Sequence, residues 1–87
     1  MSATVFRTSY DFYNVTLVPV IASFDSEGHI MPLYVRINGE SFKIRSAWLK
    51  PSFHSTSIFQ CQIEDNGTIK PLILTYHHRE NVWTISK

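Results

Sequence analysis

The stretches that decide the fold are "FDSEGHIMPLYVRI", residues 24–37, and "IEDNGTIKPLILTY", residues 63–76, because the second repeats the layout of the first. Each contains an acidic turn, a glycine, an isoleucine, a Pro-Leu pair and an alternating apolar run. Alternation with a period of two is typical of a strand that buries one face. The repetition predicts two similar halves, with Leu33 equivalent to Leu72 and both leucines buried.

Period-two runs bounded by glycine, asparagine or proline predict six strands. The strongest turn signal is Asn38-Gly39, since both residues tolerate the positive φ of a type I′ hairpin. In the strand before this turn, the pattern predicts that Tyr34 and Arg36 face outward. The positions predicted to face inward there are Met31, Leu33, Val35 and Ile37. The six predicted strands cover residues 18–24, 29–38, 41–48, 57–64, 68–78 and 82–86.

Each half is therefore predicted to be a three-stranded meander with one apolar face. A sheet of this size is only marginally stable alone, and two such sheets bury both faces when they pack together. The expected fold is all-β, a small six-stranded, mostly antiparallel barrel or sandwich formed by residues 15–87. Residues 1–14 are expected to be either disordered or an additional edge strand.

The Pro-Leu pairs, the run "YVRINGESFKI" and the closing tryptophan strand together resemble small uncharacterised bacterial β-barrel proteins of SH3-like appearance. The resemblance covers about Val18 to Ser86. It implies a fold and no function, because each of these motifs is a folding signal that many small barrels share.

Composition indicates a globular cytoplasmic protein. The formal net charge of +1 provides no general attraction for a polyanion, so a nucleic-acid role would need a local basic patch. Cys61 is the only cysteine, which excludes an internal disulfide and fits a reducing compartment. Its strand position predicts a small core residue. The longest apolar run is too short to cross a membrane, and the N-terminal residues lack the pattern of a signal peptide.

Residues that could support chemistry are few. His77 and His78 are neighbours on a predicted strand, so their rings point to opposite faces and cannot readily hold one ion. No phosphate-binding loop, dinucleotide motif or nucleophile elbow occurs in the sequence. We therefore predict a protein that is not an enzyme, with no catalytic residues, no metal site and no cofactor.

The most informative surface is a basic one beside an aromatic side chain. If Asn38-Gly39 closes a two-residue hairpin, four outward residues share one face, and two aromatic residues lie in or near the following loop. The predicted binding residues are Tyr34, Arg36, Lys43, Arg45, Trp48 and Phe53. Exposed aromatics with arginine often dominate protein interfaces, which favours a module that binds another protein or a second copy of itself. The alternative is a nucleic-acid-binding barrel that uses the basic hairpin.

Overall fold

The computed structural model describes residues 15–52 and 55–86, and these residues form seven β-strands and no helix. No helix in this part of the chain is long and apolar enough to cross a membrane. The strands are β1 (Val15–Val18), β2 (Val20–Phe24), β3 (Ile30–Ile37), β4 (Glu40–Lys50), β5 (Thr56–Asp65), β6 (Thr68–His77) and β7 (Val82–Ser86). The all-β prediction is confirmed. Residues 1–14 and the proposals made for them lie outside the described residues.

The strands form one antiparallel sheet in the order β1-β7-β6-β5-β4-β3-β2. β2 to β4 and β5 to β7 are the two predicted three-stranded meanders, joined by pairing between β4 and β5. There are seven strands rather than six because the chain bends at Pro19, which separates β1 from β2. β1 pairs with β7 at one end of the sheet order, and β2 pairs with β3 at the other.

The sheet curls into a half-barrel. The aromatic rings of Phe24 on β2 and Tyr76 on β6 approach to 6.1 Å, although three strands separate β2 from β6 in the sheet. Tyr76 in turn packs against Trp83, with ring centroids 5.1 Å apart. The concave face is the core. Its hydrophobic cluster of buried residues is Val18, Val35, Ile44, Phe59, Cys61, Ile63, Leu74 and Trp83.

Two asparagine-glycine turns close hairpins at the same end of the sheet. Asn38 and Gly39 have φ values of 52° and 81°, and Asn66 and Gly67 have values of 53° and 81°. Both central residues of a type I′ turn need positive φ, which explains why these dipeptides stand here. The predicted two-residue hairpin between β3 and β4 is confirmed, with Ile37 opposite Glu40.

The predicted equivalence of Leu33 and Leu72 is wrong, because the two repeated stretches share only the start of their pairing. Pairing begins alike, with Val20 opposite Val35 and, 39 residues later, Phe59 opposite Leu74. The register between β2 and β3 then shifts between Ile21 and Ala22, whereas pairing between β5 and β6 continues without a shift. The extra residue on β3 is Leu33, a β-bulge, which the sequence pattern does not reveal.

The bulge makes the predicted burial of Met31 and Leu33 wrong. An extra residue reverses the alternation of side chains, so Pro32 is buried in place of its neighbours, and Met31 and Leu33 are 42% and 39% exposed. Beyond the bulge the prediction is correct, since Val35 is buried and Ile37 packs against the core. In the second half, Leu72 is partly buried against the core and Pro71 is exposed.

Two leucine substitutions test this arrangement. Leu74→Ala should lower the free energy of unfolding by about 2–5 kcal/mol, because Leu74 is fully buried and its truncation leaves a cavity. Leu33→Ala should cost less than about 1 kcal/mol, since its side chain already meets solvent. Urea denaturation of both variants measures the difference. Similar losses at the two positions would show that the bulge is misplaced.

Candidate binding surface

The outer face of β2, β3 and β4 brings together most of the predicted binding residues. Tyr34 lies directly opposite Ile21 on β2 and Lys43 on β4, and Arg36 lies opposite Ser41. Tyr34, Arg36 and Lys43 are all exposed. Residues paired across neighbouring strands are close enough for their side chains to interact, so an aromatic ring stands between an apolar and a cationic neighbour.

The bulge adds apolar residues to this face that sequence reasoning had assigned to the core. Ile21 is 64% exposed and Tyr34 is 42% exposed, and the outward positions Met31 and Leu33 continue the exposed area along β3. We call Ile21, Met31, Leu33 and Tyr34 the outer patch. Ile21 carried a usable signal, because it lies between the inward-facing Val20 and Ala22. No local signal identifies Met31 and Leu33, since their orientation depends on the bulge.

Cations border the outer patch without acidic partners. Among the described residues, neither Arg36 nor Lys43 forms an ion pair. Arg45 differs, because its guanidinium is paired with the carboxylate of Glu64 on β5. Arg45 lies at a second register shift, between Ile44 and Ser46 of β4. The structure therefore leaves Arg36 and Lys43 available to an anionic group and partly neutralises Arg45.

The remaining predicted binding residues do not join the outer patch. Trp48 is 51% exposed and lies opposite Gln60, in the part of β4 that pairs with β5 but not with β3. Trp48 faces away from the core because the bulge at Arg45 reverses the alternation of β4. Phe53 lies outside the described residues.

The opposite end of the half-barrel is organised by Asp25. The Oδ1 atom of Asp25 accepts hydrogen bonds from the backbone N–H groups of Glu27 and His29, at 2.9 and 2.8 Å. Its Oδ2 atom lies 2.9 Å from Nδ1 of His29. The His29 backbone N–H, followed by the His29 side chain, lowers the pKa of Asp25 below its ordinary value. These contacts give the turn between β2 and β3 a defined shape.

An apolar groove of about 330 Å³ opens beside this turn, bordered by Ile30, Leu49 and Phe59 with His29 and His78 at its rim. The Oγ atom of Ser57 lies 2.7 Å from Nε2 of His78, and the backbone N–H of His78 donates to the carbonyl of Ser55. Within the described chain, no acidic side chain hydrogen-bonds to His78. The contacts of His78 thus connect the turn after β6 to the start of β5.

The reactive groups of the described residues are few. Cys61 is fully buried, and this burial raises the pKa of its thiol to about 11. Across residues 15–52 and 55–86, no group of three histidine, cysteine or acidic side chains is arranged to hold a metal ion.

No protein-family model, no curated protein and no solved structure matches this chain. The resemblance to SH3-like barrels stays a prediction from the sequence.

The burial of Cys61 predicts an unreactive thiol. The thiolate is the reactive form, and a pKa near 11 leaves little of it at pH 8. The folded protein should react with Ellman's reagent at least about 100-fold more slowly than the protein unfolded in guanidinium. Equal rates in the two states would contradict the burial of Cys61.

The lowered pKa of Asp25 predicts the behaviour of its turn in acid. A carboxylate whose pKa is lower in the folded protein stabilises the fold above its unfolded pKa, and this contribution is lost as pH falls through the folded value. The backbone amide signals of Glu27 and His29 should therefore move with a midpoint below the ordinary value of 3.8. An NMR titration measures this. In Asp25→Asn, which keeps the Oδ1 acceptor, the transition should disappear, and its persistence would assign it to another group.

Proposed function

We propose that this chain is a non-enzymatic protein-binding module whose working surface is the outer patch together with Arg36 and Lys43. The observation that carries the proposal is that Ile21, Leu33 and Tyr34 are exposed side by side next to cations that have no acidic partner in the described chain. Contiguous exposed apolar groups rimmed by polar ones are typical of interaction sites. Tyrosine and arginine are the residue types that most often dominate binding energy.

The charges define the chemistry of the partner surface. An apolar segment would pack on Ile21 and Tyr34, and a carboxylate next to it would meet Arg36 or Lys43. Because these cations are exposed, they would contribute to the association rate and to specificity more than to affinity. The proposed partner is therefore a protein surface with apolar and acidic side chains in alternation.

The proposal includes neither an activity nor a cofactor. Cys61 is enclosed by the core and its raised pKa disfavours the nucleophilic thiolate. Ser57 contacts His78, but no described acidic group orients that imidazole in the way a catalytic triad requires. We further propose a cytoplasmic location, which the single free thiol supports.

A second candidate is a nucleic-acid-binding role. It is favoured by the open groove that Lys43 and Arg45 share with Asn66 and Gly67. Phosphates contacting these cations would release counterions, with Tyr34 available to stack on a base. Glu64 lies in the same groove and is paired with Arg45, which weakens this candidate relative to protein binding.

A double substitution tests the surface. Tyr34→Ala with Arg36→Ser should leave the melting temperature within about 5 °C, because exposed substitutions usually cost within about 0.5 kcal/mol. The same variant should lose binding to a partner identified by affinity capture and mass spectrometry, measured as direct binding of the purified pair. Ile69→Ala with Lys70→Ser is the matched control, since it removes an exposed apolar residue and a cation from β6.

Unchanged partner binding by the folded Tyr34/Arg36 variant would refute the assignment of this surface. Fluorescence anisotropy with single-stranded DNA, at low and physiological salt, separates the second candidate. Salt-sensitive DNA binding that the double variant loses would favour the nucleic-acid role instead.

A further inference from the structure

The free edge of β2 is the strongest unassigned feature of the fold. Within residues 15–52 and 55–86, β2 pairs with β3 on one side and with no strand on the other. The backbone N–H of Arg36 donates to the carbonyl of Pro19, and the backbone N–H of Asp25 donates to the carbonyl of His29, both at 3.0 Å. Hydrogen bonding alternates along an antiparallel strand, so the odd-numbered residues between these two bonds face β3. Val20, Ala22 and Phe24 therefore direct their N–H and C=O groups to the free edge.

This edge lacks the usual protection against strand pairing. Natural edge strands commonly carry charges, prolines or bulges that prevent another strand from adding. β2 contains no charged residue and no proline between Val20 and Phe24, and the bulge lies on β3. A groove of about 470 Å³ separates Pro19 and Val20 from Asn81 and Val82, which leaves open space beside the first residues of the edge.

We propose that two copies of this chain associate by antiparallel pairing of their β2 edges about a two-fold axis at Ala22. In this register Ala22 lies opposite Ala22 of the second copy, and Val20 lies opposite Phe24 of the second copy. All of these residues direct their backbone groups to the edge, so each can exchange both hydrogen bonds with its counterpart. The small side chain at the axis permits close approach, and the pairing covers part of Phe24, which is 59% exposed.

The charges at the two ends of β2 favour this orientation. β2 begins beside Arg36, whose backbone N–H donates to the carbonyl of Pro19. It ends at the acidic turn that contains Asp25 and Glu27. Antiparallel pairing places Asp25 of the first copy opposite Pro19 of the second copy. Arg36 of the second copy lies on the next strand, β3, beside this Pro19 and on the same face of the sheet. Two strand spacings amount to about 10 Å, which an arginine and an aspartate side chain can together span. Parallel pairing would instead place like charges near each other.

Sedimentation equilibrium of the full chain tests the proposal. The unmodified protein should show a monomer–dimer equilibrium, and Ser23→Lys should raise the dissociation constant at least tenfold by placing a charge beside the edge. Ala22→Pro removes an edge N–H without removing a bond to β3 and should have an effect at least as large. Thr68→Lys, an exposed change of the same charge at the first residue of β6, should leave association unchanged.

Hydrogen exchange identifies the edge directly. The amides of Val20, Ala22 and Phe24 should become more protected as protein concentration rises, whereas those of Ile21 and Ser23, which are bonded within each copy, should not change.

Asp25→Asn should weaken association several-fold while preserving its turn. A protein that stays monomeric at millimolar concentration would overturn the proposal. A dimer unaffected by Ser23→Lys, with no added protection at the edge, would also overturn it.

The dimer and the proposed protein-binding surface can fail separately. Tyr34→Ala removes an outer-patch side chain and leaves the β2 edge intact, so it should reduce partner binding and leave sedimentation unchanged. Loss of the dimer in Tyr34→Ala would place the self-association on the outer patch and overturn the β2-edge proposal.

Discussion

The constraint on which the structure depends is the covalent continuity of β1 and β2 across Pro19. These strands are separated by a single residue, yet they occupy opposite ends of the sheet order. A flat seven-stranded sheet would hold its two edge strands too far apart for this connection, since each strand adds about 4.8 Å. The sheet must therefore curl, and curling encloses the face that carries Val35, Leu74 and Trp83. Proline suits the bend because it has no N–H to leave unpaired, while its carbonyl still accepts a hydrogen bond from Arg36.

Curvature explains why two strands contain register shifts. Bulges bend a strand and increase its twist, and they lie here at Leu33 of β3 and Arg45 of β4. Each bulge also reverses the side-chain alternation. In β3 the consequence is that Leu33 and Tyr34 are consecutive exposed residues, followed by the buried Val35. Each Å² of apolar surface that stays exposed loses the stabilisation of about 25 cal/mol that burial would give. The outer patch therefore contributes less to folding than the composition of β3 suggests, and that surface remains available to a partner.

These bulges also mark the limit of what could be predicted from the sequence. Strand positions and turns are local properties, and for β3 the predicted range of 29–38 agrees closely with Ile30–Ile37. The hairpin at Asn38-Gly39 follows from the positive φ that both residues tolerate. A bulge depends on how the whole sheet must bend, and nothing in the letters around Leu33 indicates it. For this reason Tyr34, Arg36 and Lys43 could be placed on one face from the sequence, whereas Met31 and Leu33 could not.

β2 contributes to both proposed contacts through different groups, although the neighbouring Arg36 is shared between them and Lys43 is not. Side chains stand perpendicular to a sheet while backbone hydrogen bonds lie within its plane, so Ile21 can pack on a partner while Ala22 pairs with a second copy. A two-fold axis perpendicular to the sheet would place the two outer patches on the same side of one continuous surface. A partner with two matching segments would then bind its second segment at a high effective concentration, provided that its linker spans the two patches. Self-association through β2 would therefore favour repeated or dimeric partners over monovalent ones, even though each outer patch is small.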